Sequence, residues 1–183
     1  MTALAEDADY QAMIRQQDDE LAARARFYSE AERHIVSDLR AAGVHVDSVW
    51  DLVNTSDPYP TALPILMHHL LNGPHPDAVT EGLARALAVK PAVRWWADLE
   101  RLYLTTSSDR DRDSFAVALA GAADADHLDD LLALASRREL GASRVLLLRP
   151  IHELGGARGR QFLEHSRRDP DLAWEVRGIL GKE

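Results

Sequence analysis

Three histidines fall close together at positions 68, 69 and 75. Imidazole nitrogens ligate borderline divalent metals, so a cluster of this kind is the first place to look for chemistry. Adjacent positions on an α-helix point about 100° apart, however. No carboxylate stands at ligand spacing from His68, His69 or His75, so no metal site is expected from them. Asp109, Asp111 and Asp113 alternate like the start of a calcium loop. Ser114 occupies the place of the required turn glycine and Ala120 that of the closing glutamate, which makes the run a solvated helix start. His152-Glu153 lacks the second histidine of a zinc-protease helix, and the glycines at 155, 156 and 159 follow a helix where a dinucleotide loop needs a strand. Serines are scattered without a nucleophile turn. No catalytic residue, metal or cofactor is therefore expected.

The remaining side chains with binding potential are charged or aromatic. Arginines 137, 138, 144, 149, 158, 160, 167, 168 and 177 make the last third locally basic, but acids at 139, 153, 164, 169, 171 and 175 dilute it, and interhelix pairing or a solvated surface is the expected use. Trp95 and Trp96 could stack a nucleobase; at adjacent helical positions, one is expected in the core and the other toward the surface. The net charge of −9 opposes phosphate backbones and favours a basic partner. It is uneven, with residues 1–60 holding twelve Asp plus Glu against five Arg.

The scaffold that must position these residues is helical. Strand-like alternation is missing, β-branched residues are few, and Ala, Leu, Arg, Asp and Glu dominate the 183 residues. The absence of cysteine excludes disulfides and thiolate sites and fits a reducing cytoplasm. The acidic start lacks an export signal, and no stretch is long and apolar enough for a membrane span. A cytoplasmic protein is expected.

Residues 7–42 contain neither proline nor glycine, and Tyr10, Ile14, Gln17, Leu21, Tyr28, Ala31, Ile35 and Leu39 lie near a 3.5-residue period. They predict one long helix, with Glu6, Asp7 and Asp9 at its positive end and Gly43 as its cap. Its seam could dimerise, but Gln17 and Arg24 interrupt it, and packing on its own domain in a monomer is the expectation. A short helix over 48–54, capped by Asp47, and a proline-rich turn complete a unit of residues 1–58.

From residue 59 onward the chain repeats a helical hairpin. Leu63, Leu66, Met67, Leu70 and Leu71 form one apolar face, Asn72-Gly73-Pro74 end that helix with a left-handed glycine, and Val79, Leu83, Ala86 and Leu87 form the second stripe. Leu66, Leu99, Leu132 and Leu163 recur as first-helix anchors. Helices are also expected over 92–105, 111–122, 124–138, 142–154 with a kink at Pro150, 157–167 and 170–180.

The segment ALPILMHHLLNGPHPDAVTEGLARALA, echoed by RDPDLAWEVRGILG at 168–181, resembles the HEAT-repeat family of α-solenoids. That resemblance implies an all-α, right-handed superhelix of about four helix pairs over 59–183, with a binding face and no catalytic residues. Six polar positions of the second helices are the expected contacts: Glu81, Arg85, Asp113, Arg144, His152 and Glu175. The expected function is to bind and mask a basic protein, as an immunity protein masks its toxin. The alternative is a HEAT-like DNA glycosylase or another nucleic-acid-binding enzyme, which the acidic charge opposes.

Overall fold

The computed structural model describes residues 2–181, without the side chains of residues 2–9 and 12. The expected helix-start acids Glu6, Asp7 and Asp9 lie outside the described side chains. Among the described residues every regular element is helical, and no helix is long and apolar enough to cross a membrane.

Helix α1 (Thr2–Ala41) ends at Gly43, whose φ of 84° suits a residue without Cβ. The amides of Gly43 and Val44 close the helix by donating to the carbonyls of Arg40 and Leu39. Helix α2 (Trp50–Val53) is short, and its start is satisfied from α1. The buried Glu32 carboxylate accepts from Ser48 Oγ at 2.7 Å and from the Val49 amide at 2.9 Å. Asp47 is not the cap expected from sequence; it pairs with Arg40, and the Asp51 carboxylate takes the amides of Asp47 and Ser48.

Helices α3 (Leu63–Asn72) and α4 (Asp77–Ala86) form the first hairpin. Pro64 sits in the first turn of α3, where its missing amide costs no hydrogen bond. Gly73 closes that helix at φ −55° and ψ 175°, so the expected left-handed cap is corrected: Pro74 simply draws the chain into extended backbone.

A 3₁₀ segment (Lys90–Trp95) leads into α5 (Trp96–Thr105), which pairs with α6 (Asp109–Ala122). Ser108 caps α6 by accepting the Asp111 amide at 3.2 Å. After a 3₁₀ turn (Ala125–His127), helix α7 (Leu128–Ser136) packs on a further 3₁₀ segment (Arg138–Leu147), which breaks at Gly141 with φ 65°. Helices α8 (Leu148–His165) and α9 (Ala173–Leu180) close the chain. Pro150 does not kink a helix over 142–154. The helix begins only at Leu148, so proline falls in its first turn, and the break comes at Gly156 with φ 49°.

Successive hairpins lean on their neighbours: α4 packs on α6, α6 on the Arg138–Leu147 segment, α7 on α8 and α8 on α9. Small side chains permit the approach, since Ala116, Ala118 and Ala122 of α6 are buried and a Cβ at Gly121 would stand 2.3 Å from the Ala88 carbonyl oxygen. One apolar cluster runs from Ile35, Leu39 and Leu52 through Leu66, Leu83, Leu99 and Leu119 to Ile151. A smaller one holds Leu148, Leu163, Leu172, Val176 and Leu180. The third first-helix anchor is Leu131, fully buried, whereas Leu132 is only half-buried. Buried anchors therefore fall at 66, 99, 131 and 163, spaced 33, 32 and 32 apart.

Candidate functional site

Helix α1 divides in two. Its second half is amphipathic and packs on α3 and α4, with Ile35 and Leu39 fully buried and Tyr28 and Ala31 partly so. Over residues 10–27 nearly every described side chain is exposed, including Tyr10, Met13, Leu21 and Phe27, each about half or more accessible. The expectation that this helix packs on its own domain is thus corrected for its outer half. Contact with the body begins only beyond Arg24, the charged residue that interrupts the apolar seam.

At the root of this arm three histidines meet. His34 of α1, His69 of α3 and His75 of the α3–α4 turn each bring a ring nitrogen within 4.8 Å of the other two. The rings of His34 and His75 stack with centroids 5.8 Å apart, and His34 meets His69 edge-on at 5.1 Å. Nε2 of His69 bonds Asp38 Oδ2 at 2.8 Å, and Nε2 of His75 bonds the His69 carbonyl oxygen at 2.9 Å. Burial lowers the pKa of His69; the Asp38 hydrogen bond and charge oppose this, while His34 and His68 add to it. His68 points elsewhere, with its Nδ1 3.2 Å from Asn72 Nδ2. His69 and His75 are grouped with His34 of another helix, a residue the sequence reading did not place beside them. His34 and Asp38, one helical turn apart on α1, carried the missing signal.

The six expected contact residues have different fates. Arg85 and Asp113 are exposed, while Glu81, His152 and Glu175 are half-buried. Glu81 accepts from Arg85 Nε at 2.9 Å and Arg110 Nη2 at 3.0 Å, linking α4 to α6. Burial works to raise its pKa, but the two arginines outweigh it and hold the carboxyl below its ordinary value. Partial desolvation of its carboxylate raises the pKa of Asp113 although the residue is largely exposed, and the Asp109 charge adds to it. Glu175 pairs with Arg149 at 3.4 Å.

Arg144 is a correction: at 1% exposure it cannot meet a partner. Its guanidinium donates to Asp169 through both terminal nitrogens at 2.9 and 3.1 Å, to Asp171 at 2.7 Å, and to the carbonyls of Gly141 and Ala135 at 2.8 and 3.2 Å. Asp169 is itself fixed, accepting the Asp171 amide at 3.0 Å. Arg144 is the chief cause of the depressed Asp169 pKa. This lock ties the loop before α9 to the end of α7.

The other candidates contribute less. Trp96 is buried with its ring 4.3 Å from that of His127, and Arg94 lies 4.0 Å over the ring of half-buried Trp95, so neither offers an open stacking face. The proline-rich turn and α4 enclose a cleft of about 460 Å³ lined by Leu52, Tyr59, Leu63 and Val89. Tyr59, one of its walls, donates to the Ala86 carbonyl at 2.9 Å. Among the described residues the Asp109, Asp111 and Asp113 carboxylates do not gather into a cation cage. No protein-family model, curated protein or solved structure matches this chain.

Proposed function

We propose that the protein is a non-catalytic protein-binding module, a HEAT-like right-handed superhelical stack that holds out the first half of α1 as a docking arm for a basic protein. One observation carries this reading: Tyr10, Met13, Leu21 and Phe27 stand exposed on a helix whose outer half lacks a partner in its own chain among the described residues. Burial of each large apolar side chain contributes on the order of 1.5–3 kcal/mol, so a second surface has a strong reason to cover them. The neighbour-to-neighbour packing and the near-constant spacing of buried leucines support the superhelix.

Charge selects the partner. Asp18, Asp19 and Glu20 are exposed beside the seam, and the net charge of −9 would steer a basic surface toward the protein. In a parallel homodimer Arg24 would face its own copy across the seam, which favours a different chain. Masking a basic toxin, as an immunity protein does, is the use that best suits a small acidic stack.

The test is affinity capture with the full chain and with a Leu21→Asp, Phe27→Asp variant of unchanged circular dichroism. A basic protein retained by the parent, released by added salt and lost from the variant supports the reading. Equal capture by both, or a parent whose mass in solution is that of a stable dimer held by α1, overturns it.

A further inference from the structure

We propose that His34, His69 and His75 form a binding site for a borderline divalent metal ion, Zn²⁺ foremost, at the joint between α1 and the α3–α4 hairpin. The inference stands independently of the docking reading. Three separate elements supply one ring nitrogen each, all within 4.8 Å of one another. In a tetrahedral zinc site with Zn–N bonds of about 2.0–2.1 Å, ligand nitrogens lie about 3.4 Å apart. Closing to that spacing requires exposed His34 and half-buried His75, which sits in the turn, each to rotate toward the buried His69 ring.

The surrounding hydrogen bonds are those a metal-binding imidazole requires. Asp38 holds Nε2 of His69 at 2.8 Å, and the His69 carbonyl holds Nε2 of His75 at 2.9 Å. With those nitrogens as donors, Nδ1 of His69 and Nδ1 of His75 are the atoms that must take the cation, and the carboxylate beside His69 orients its ring. Orientation by a carboxylate or a backbone carbonyl is the usual support of ligating histidines. Nitrogen ligands without thiolate suit Zn²⁺, Ni²⁺, Co²⁺ and Cu²⁺ over Ca²⁺ or Mg²⁺. Zinc has no ligand-field preference for geometry, so it tolerates positions dictated by two helices and a turn. Three protein nitrogens leave a fourth position for water. A cation there would tie the root of α1 to the hairpin and fix the direction in which the arm projects.

The experiment is Zn²⁺ titration calorimetry on the tag-free full chain, with Co²⁺ absorption as a report on coordination. The expected result is one saturable equivalent of Zn²⁺, visible Co²⁺ bands of a tetrahedral nitrogen-rich site, and a Tm that rises with added Zn²⁺. His34→Gln and His75→Gln, both outside the main core, should each weaken binding by about tenfold or more, and Asp38→Asn by about 10–100-fold, while His68→Gln leaves it unchanged. Absence of saturable binding overturns the proposal. So does binding that survives His34→Gln and His75→Gln, or that falls equally with His68→Gln.

Discussion

Replacing Arg144 by methionine is expected to destabilise the protein more than any surface arginine substitution. The guanidinium is 1% exposed and makes five hydrogen bonds, to Asp169 twice, Asp171, Gly141 and Ala135. Methionine fills much of the volume but leaves the buried Asp169 carboxylate with only the exposed Arg138, 3.8 Å away, as a cation. Removing one partner of a buried ion pair costs about 3–5 kcal/mol, a large part of the 5–15 kcal/mol that typically holds a domain. For a chain of this size that corresponds to a fall in Tm of roughly 6–20 °C. Urea unfolding followed by circular dichroism measures it directly. A second variant separates the charge from the packing: in Arg144→Met with Asp169→Leu the buried pair is gone and only the more exposed Asp171 keeps an unmatched charge, so part of the lost stability should return. If Arg144→Met lies within about 1 kcal/mol of the parent, or the double variant is no more stable than the single, the lock is not the strong tie described here.

The same carboxylate should govern the acid limb of stability. Arg144 holds the folded Asp169 pKa below its ordinary value, so its contribution is complete above the unfolded value near 4 and fades as pH falls through the lower folded one. Urea midpoints should therefore drop below about pH 4, and Asp169→Asn should flatten that drop; an unchanged slope refutes the assignment. Glycine positions offer a contrast of opposite sign. Gly121→Ala drives a methyl into the Ala88 backbone, which cannot swing aside, and should cost about 1–3 kcal/mol. Gly178→Ala, on α9 with open space around it, should gain up to about 1 kcal/mol from helix propensity. Equal urea midpoints for the two would contradict the close packing of α6 on the loop after α4.

Helix positions were legible because apolar residues repeat at three- and four-residue steps, a signal that survives without knowing the partner surface. Registers were less so. The short 3₁₀ turn at Ala125–His127 shifts the start of α7, and the inward anchor becomes Leu131 in place of Leu132. The segment after Gly141 is 3₁₀ and not α, which moves Pro150 from the middle of a supposed helix to the first turn of α8. Both errors arise from local geometry that hydropathy does not record. Arg144 misled for another reason: its residue type suggests surface, and its burial depends on Asp169 and Asp171, which only the tertiary fold brings alongside. The histidine group was half visible. His69 and His75 are close in sequence, but His34 and Asp38 arrive from α1, and no spacing rule spans two helices.

Packing of each hairpin on its immediate neighbours also bears on how the chain is made. Contacts that close short loops are reached quickly, and a structure dominated by them folds fast. As the polypeptide leaves the ribosome, α3 and α4 can find each other and cover α1 before α7 has been synthesised. The last hairpin, with its own small cluster around Leu163 and Val176, is the last of these to form.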